Sequence, residues 1–208
     1  MTEALTLMKL GFTGIKAGYD NLMQRRRDAL LEIVEGQVAR GRYWAIAEDD
    51  AIAATIGIVR ACDEGVARRN LELIVEAYFS AAETQTFAPD EFRRHKDSLA
   101  SLSQEEIQLL GALVRIRQEY ISSLEGVDFH RGDFWKQVKT SLIGTLTFPN
   151  SIDLEMYAAA LSRTGWVVFM NAYGSGGYQT TPLFEKMANL VDWKEAARRA
   201  ESESAIDM

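Results

Sequence analysis

The sequence predicts a mainly α-helical protein that carries one β-hairpin near its C-terminus. Apolar residues recur at helical spacing along most of the chain. One run, Trp166-Val167-Val168-Phe169-Met170, is instead β-branched and aromatic and has the length of a strand. Hydrophobic residues make up 47% of the 208 residues and only 3 are prolines, so the chain can build a core. We therefore expect an N-terminal helical bundle followed by a smaller unit that holds the hairpin.

Residues 1–100 have the pattern of the helical bundle. A glycine-rich and therefore weak helix is predicted for Leu5–Tyr19, and an amphipathic helix for Asn21–Arg40. A longer apolar pattern runs from Glu48 to about Ala82, and glycines inside it leave open whether it forms one helix or two. Pro89 with two following acids then predicts the start of a short helix that ends near Leu99.

In the rest of the chain the spacing of the apolar residues changes between that of a helix and that of a strand. Ser103 and Glu106 form a capping-box pattern and predict the start of a helix, and two shorter helices follow near residues 134–143 and 151–161. After the strand-like run, Gly174–Gly177 supplies a reversal and Tyr178–Thr180 the returning strand. Thr181-Pro182 opens a further helix, and a helix near residues 193–200 precedes a tail that we expect to be mobile.

The order helix, helix, hairpin, helix resembles the winged-helix superfamily. The segment SIDLEMYAAALSRTGWVVFMNAYGSGGYQTTPLFEKM is similar to the third helix, wing and following segment of that superfamily, and it covers about a quarter of the chain. The resemblance implies a winged-helix-like domain at 101–192, between the helical domain at 1–100 and a C-terminal helix and tail at 193–208. It also implies DNA binding as one possible function, through the third helix and the wing.

The residues at these positions favour a protein partner over DNA. The candidate recognition helix begins with Asp153 and Glu155, and Arg163 at its far end is its one cation. The predicted wing tip carries no lysine or arginine. Aromatic residues are instead common interface anchors. We predict an interaction surface, for a protein partner or for self-association, formed by Trp166, Phe169, Tyr173, Tyr178 and Arg163.

A second resemblance concerns the segment LASLSQEEIQLLGAL, which begins at Leu99. Followed by the winged-helix pattern, it looks like the layout of bacterial helical proteins of the abortive-infection alpha type and of related uncharacterised families. That resemblance implies a bacterial protein with a possible part in phage defence, and no catalytic motif transfers from it.

Composition disfavours several classes of function. The chain has 30 acidic and 23 basic side chains, and its net charge of −7 repels phosphate backbones unless cations gather on one face. A single cysteine, Cys62, cannot form an internal disulfide, which fits a reducing cytoplasm. No apolar run approaches the ~18 residues of a transmembrane helix, and the start lacks the pattern of a secretory signal.

Few residues suggest catalysis, and we expect no cofactor and no metal. His130 lies between Asp128 and Asp133, so a metal or acid-base site is conceivable there, although a solvated loop is the simpler interpretation. His95 belongs to a short basic run that suits either an anion site or a solvated helix face. Acidic neighbours should raise the pKa of the Cys62 thiol, which favours a structural role.

We therefore expect a non-enzymatic protein whose C-terminal module contacts other proteins. The alternatives are a DNA-binding regulator, a metalloenzyme centred on His130, and a membrane-surface role for the N-terminal helix. A continuous positive surface beside Leu154–Arg163, assembled from the scattered arginines, would favour the DNA-binding alternative.

Overall fold

The computed structural model describes residues 2–42, 48–84, 88–123, 131–172 and 175–206. Within these ranges the protein is mainly α-helical with a single two-stranded antiparallel hairpin near the C-terminus, which confirms the predicted fold class. The chain divides into an N-terminal unit, residues 1–100, and a C-terminal unit, residues 101–208. None of the helices described is both long enough and apolar enough to pass through a bilayer.

The N-terminal unit is built from four helices in the part of the chain that the structure describes: α1 (Thr2–Ala39), α2 (Glu48–Asp63), α3 (Arg68–Glu83) and α4 (Pro89–Ala100). The predicted weak helix and the amphipathic helix after it form the single helix α1, which passes through Gly18 without a break. A glycine inside a helix costs about 1 kcal/mol, and a helix of 38 residues tolerates that cost.

The long apolar pattern after residue 48 is divided into α2 and α3 at Gly65. This glycine has a φ of +90°, a left-handed conformation that other residues adopt only with strain. The guanidinium group of Arg26 from α1 lies within 3.2 Å of the place where a Cβ of residue 65 would be. Arg26 Nη1 also donates a hydrogen bond to the carbonyl oxygen of Asp63 (3.1 Å), so the end of α2 is fixed against α1.

Helix α3 supplies most of the core of the N-terminal unit. Its Tyr78 and Phe79 are fully buried, and the ring of Tyr78 packs edge-on against Phe92 of α4. The buried amide of Asn70 donates a hydrogen bond to the carbonyl oxygen of Leu99 (2.7 Å), which ties the start of α3 to the end of α4. Helix α4 begins and ends close to its predicted limits.

The C-terminal unit contains the remaining elements. Helix α9 packs along α5, α6 packs against β2, and α7 contacts both α5 and β1. The elements are α5 (Gln104–Ser123), α6 (Arg131–Leu142), α7 (Ser151–Leu161), a 3₁₀ turn directly after α7 (Ser162–Thr164), β1 (Val167–Ala172), β2 (Ser175–Thr180), α8 (Pro182–Ala188) and α9 (Trp193–Ile206).

Side-chain caps fix two helix starts that the sequence predicted. At the start of α5 the amide of Glu106 donates to Ser103 Oγ (3.2 Å) and the amide of Ser103 donates to Glu106 Oε2 (2.8 Å), which confirms the capping box. At the start of α8 the hydroxyl of Thr181 accepts a hydrogen bond from the amide of Phe184 (3.3 Å), with Pro182 in the first turn.

The hairpin is longer than predicted, and its glycines have another role. Strand β1 pairs antiparallel with β2, with Phe169 opposite Tyr178 and Ala172 opposite Ser175. Gly176 and Gly177 therefore lie in β2 rather than at the tip. A Cβ at residue 177 would lie 2.8 Å from Cβ of Trp135, so α6 can approach the strand only because this residue is glycine.

An aromatic cluster joins the hairpin to the last two helices. The rings of Trp166, Phe184 and Trp193 are buried, with their centroids 5.7 to 6.2 Å apart. Such pairs add stabilisation beyond the area that they bury. Through this cluster and α5, helix α9 is part of the C-terminal unit, whereas the sequence predicted residues 193–208 as a separate helix and tail.

Helices α5 and α9 pack closely against each other at Gly111. A Cβ at Gly111 would lie 2.5 Å from Cβ of Ala197 and 2.6 Å from the carbonyl oxygen of Trp193, and the second of these is a backbone atom. We expect Gly111→Ala to lower the free energy of unfolding by about 1–3 kcal/mol despite the better helix propensity of alanine. Urea unfolding followed by circular dichroism measures this change.

Gly36→Ala is the matched control. Gly36 lies inside α1, and no atom is within 4 Å of the position that its Cβ would take. We expect this substitution to raise the stability by up to about 1 kcal/mol. Equal effects of the two substitutions would contradict the close approach of α5 and α9 at Gly111.

Candidate protein interface

Helix α7 is held in the C-terminal unit by one of its faces. The side chain of Asn150 caps its start by accepting hydrogen bonds from the amides of Ile152 (2.9 Å) and Asp153 (3.0 Å). Leu154, Ala158 and Leu161 are fully buried. These three positions follow the spacing i, i+4, i+7, so they form one stripe that faces the core.

The end of α7 is fixed by a bidentate ion pair with the start of α5. The side chain of Glu106 is only 3% exposed, and both of its oxygens accept hydrogen bonds from Arg163, with 2.8 Å between Nη2 and Oε2. Arg163 also donates to the carbonyl oxygens of Ala160 (2.8 Å) and Ser101 (2.9 Å). The hydrogen bonds with Glu106 raise the pKa of Arg163 above its ordinary value. The guanidinium of Arg163 thus supplies the cation that pairs with Glu106, the buried carboxylate of the capping box.

The acidic residues at the start of α7 also have partners within the unit. Lys139 of α6 donates to Glu155 Oε1, and the Lys139 ammonium group lowers the pKa of that carboxyl. Asp153 Oδ2 accepts a hydrogen bond from Asn150 Nδ2 (2.7 Å). The charged groups of α7 are therefore engaged in contacts that hold the helix in place.

The opposite face of α7 is apolar and exposed. Ile152 is 78% exposed and Met156 is 54% exposed, and the methyl groups of Ala159 and Ala160 also face solvent. A helix at the surface normally presents polar residues on that side. We call Ile152, Met156, Ala159 and Ala160 the α7 outer face. Large contiguous patches of exposed apolar residues are common at binding sites, so this face is the candidate interface.

The hairpin adds further exposed apolar side chains. Phe169 on β1 is 54% exposed, and Val168 and Met170 beside it are also accessible. The Phe169 ring packs edge-on against Tyr178 across the strands, with centroids 5.2 Å apart. Tyr178 in turn packs against Trp135 of α6 at 5.1 Å. Tyr178, which packs on Trp135, therefore holds the Phe169 ring in position.

The residues predicted for the interface have different surroundings. Trp166 is completely buried, so it stabilises the unit and does not present its ring to a partner. Phe169 is exposed as expected, and Tyr178 is half-buried beneath it. Tyr173 lies outside the described residues. Arg163 is bound to Glu106 and acts within the unit.

The apolar residues of this segment predict a helix near 151–161, but the spacing alone does not show which of them face outward. Met156 and Ala160 belong to this apolar pattern, and both are exposed. A usable signal was present, since the segment SIDLEMYAAAL has apolar residues around its whole circumference. Only one stripe of an 11-residue surface helix can be buried, so some of these residues had to face outward.

Candidate catalytic groups do not form a site in the described part of the chain. The segment with His130 lies outside it, as do the side chains of 131–133, and no cluster of three potential metal ligands occurs among the residues that were described. His95 is buried, 3.7 Å from the carboxylate of Glu91, and is not part of a solvated basic face.

Cys62 is buried, which fits the structural role that the sequence favours. Its thiol donates to the carbonyl oxygen of Arg26 (3.2 Å). Burial, followed by the charge of Asp63, raises the pKa of the thiol. The neutral form is therefore favoured, which opposes reactivity.

Three of the arginines that might form a basic surface are paired with carboxylates in their own unit. In the N-terminal unit Arg27 binds Asp63 (3.0 Å) and Arg68 binds Glu32 (3.0 Å). In the C-terminal unit the exposed Arg198 binds Glu195 through two hydrogen bonds of 2.6 and 2.8 Å. These pairs reduce the positive potential that each arginine offers to a phosphate backbone.

Comparisons with known proteins gave no match: no protein-family profile, curated protein or solved structure is similar to this chain.

The ion pair at the end of α7 can be tested by a double-mutant cycle. Arg163→Met leaves the buried carboxylate of Glu106 without its cation, so we expect a loss of about 2 kcal/mol in the free energy of unfolding. In the Glu106→Gln background the same substitution should cost much less, because glutamine keeps the capping hydrogen bond without a charge.

Arg198→Met is the control for this cycle, since it removes an arginine from an exposed pair on the same unit. We expect no measurable loss of stability from it. Additive effects of Arg163→Met and Glu106→Gln would show that the two side chains are not coupled.

Proposed function

We propose that this chain is a non-enzymatic protein-interaction module that self-associates through the α7 outer face. The observation that carries the proposal is the exposure of Ile152 and Met156 on a helix whose opposite side is anchored by Leu154, Ala158 and Leu161. Leaving such side chains in water is unfavourable, by about 25 cal/mol for each Å² of apolar surface. An interface is a common means of removing that surface from water.

A second copy of the same helix suits this face. Ala159 and Ala160 are small enough to let another helix approach closely, and the face itself carries no charge that would repel an identical face. In an antiparallel pair of helices the helix dipoles oppose one another, which is a favourable arrangement for two copies of α7.

Protein contact is better supported than DNA binding. The helix at the position of a recognition helix directs its single cation, Arg163, at a buried glutamate. Its outer face offers aliphatic groups, which give little affinity for phosphates. Arg27, Arg68 and Arg198 are paired with carboxylates, which also disfavours DNA binding.

We also propose a location in the reducing cytoplasm, which fits the single cysteine, Cys62, buried and without a disulfide.

Sedimentation velocity across about 5 to 500 µM tests the proposal. The face of one 11-residue helix is small, so we expect a weak dimer with a dissociation constant on the order of tens of micromolar. The apparent mass should rise above the 23.3 kDa of a single chain as the concentration increases. Met156→Lys and Ile152→Lys should each keep the chain monomeric over this range, because dimerisation would bury an unpaired charge.

Ile56→Lys is the matched control, because Ile56 on α2 is 52% exposed and lies on the other unit. We expect it to dimerise like the unsubstituted protein. A wild-type chain that stays monomeric at the highest concentration would contradict the proposal, as would equal loss of the dimer in the control. Affinity for duplex DNA that falls steeply with salt would support the regulator instead.

A further inference from the structure

A groove in the C-terminal unit has the features of a ligand site that is distinct from the α7 outer face. It has a volume of about 450 Å³ and lies between α5, the turn that links α6 to α7, and α9. Pockets that bind small molecules have volumes of roughly 300 to 1,000 Å³. Thirteen residues line it: six are apolar or glycine, four are charged, and the remaining polar ones are two threonines and the buried Gln108, which accepts a hydrogen bond from Thr147.

We call the small and apolar lining residues the floor of the groove and the charged ones its rim. Leu142 and Phe148 are buried at one side, and Ala112 and Ala197 come from the two long helices. Gly111 fixes how closely these helices approach, because a Cβ there would meet the backbone of α9. The space above the floor exists because the residues along this part of α5 and α9 are small. Leu146, which is 75% exposed, stands at the mouth of the groove.

The rim carries more positive than negative charge. Arg115, Lys194 and Arg198 line the groove together with one carboxylate, that of Glu201. Arg198 is bound to Glu195, and Arg115 donates to Ser141 Oγ (3.1 Å) with Glu119 at 3.8 Å. Lys194 makes no ion pair with any residue that the structure describes, and its side chain is exposed. One ammonium group is thus available beside an apolar floor.

We propose that this groove binds a small anionic amphiphile, a single carboxylate on an unbranched apolar body, with the carboxylate at Lys194 and the body over Ala112, Leu142 and Phe148. Charge complementarity selects the head group, since the rim is cationic in a chain whose net charge is −7. A polyphosphate is a poor fit, because one uncommitted cation and the nearby Glu201 cannot balance several negative charges. The apolar floor also excludes a wholly polar ligand.

Decanoate is the probe that tests this site, with isothermal titration calorimetry on the full chain. We expect one molecule of decanoate to bind per chain. Acetate has the same head group without the apolar body and should bind at least about a hundredfold more weakly. Decyltrimethylammonium has the same chain length with a positive head group, and we expect no binding of it at the same concentrations.

Two substitutions locate the site. Lys194→Glu reverses the charge of the exposed ammonium group and should weaken decanoate binding by about tenfold or more, whereas Lys136→Glu, an exposed lysine of α6 outside the groove, should not change it. Ala112→Leu fills the floor and should abolish binding. Lys194→Glu alters only a surface side chain, so it stays informative if Ala112→Leu does not fold.

Three results would overturn the proposal: no binding of decanoate at millimolar concentration, equal binding of decyltrimethylammonium, or equal effects of Lys194→Glu and Lys136→Glu. The substitutions that test self-association, at Met156 and Ile152, leave this groove intact. Failure of the ligand site and failure of the dimer are therefore separate outcomes.

Discussion

The pairing of Glu106 with Arg163 determines how the proposed interface is presented. Glu106 is buried because its carboxylate caps the start of α5. A buried carboxylate is stable only when a cation pairs with it. Arg163 at the end of α7 supplies that cation. With Asn150 capping the other end, the rotation of α7 about its own axis is fixed. Leu154 and Ala158 then face inward, and Ile152 and Met156 face outward.

In this arrangement the charged groups hold the helix in place, and the surface that we propose for binding is apolar. The charged groups of α7 and of the turn that follows it are used for internal contacts: Glu155 pairs with Lys139, and Arg163 pairs with Glu106. What the helix offers to a partner is aliphatic. A helix that binds DNA requires the reverse arrangement, in which cations face the phosphates and apolar residues face the core. Phe169, held on the hairpin by Tyr178, is a second apolar group of the same unit, and its contribution to binding depends on the partner.

Local sequence patterns predicted the helices, the hairpin and two caps, because each depends on a few neighbouring residues such as Ser103 with Glu106 or Thr181 with Pro182. Which apolar residues face outward could not be predicted in the same way. Trp166 and Phe169 belong to one strand-like run, yet the first is buried against Trp193 and the second is exposed. That difference depends on α9, which lies far along the chain. The groove likewise depends on the meeting of α5 and α9 at Gly111.

The most direct test of the account uses a disulfide. In a closed dimer with one two-fold axis the centre of the interface meets its own copy, and Met156 lies at the centre of the α7 outer face. We predict that Met156→Cys forms an intermolecular disulfide under mild oxidation, with no competition from Cys62, which is buried. Ile56→Cys on α2 should stay largely uncrosslinked. A Met156→Cys protein that reacts readily with a soluble thiol reagent but forms no dimer would contradict the account.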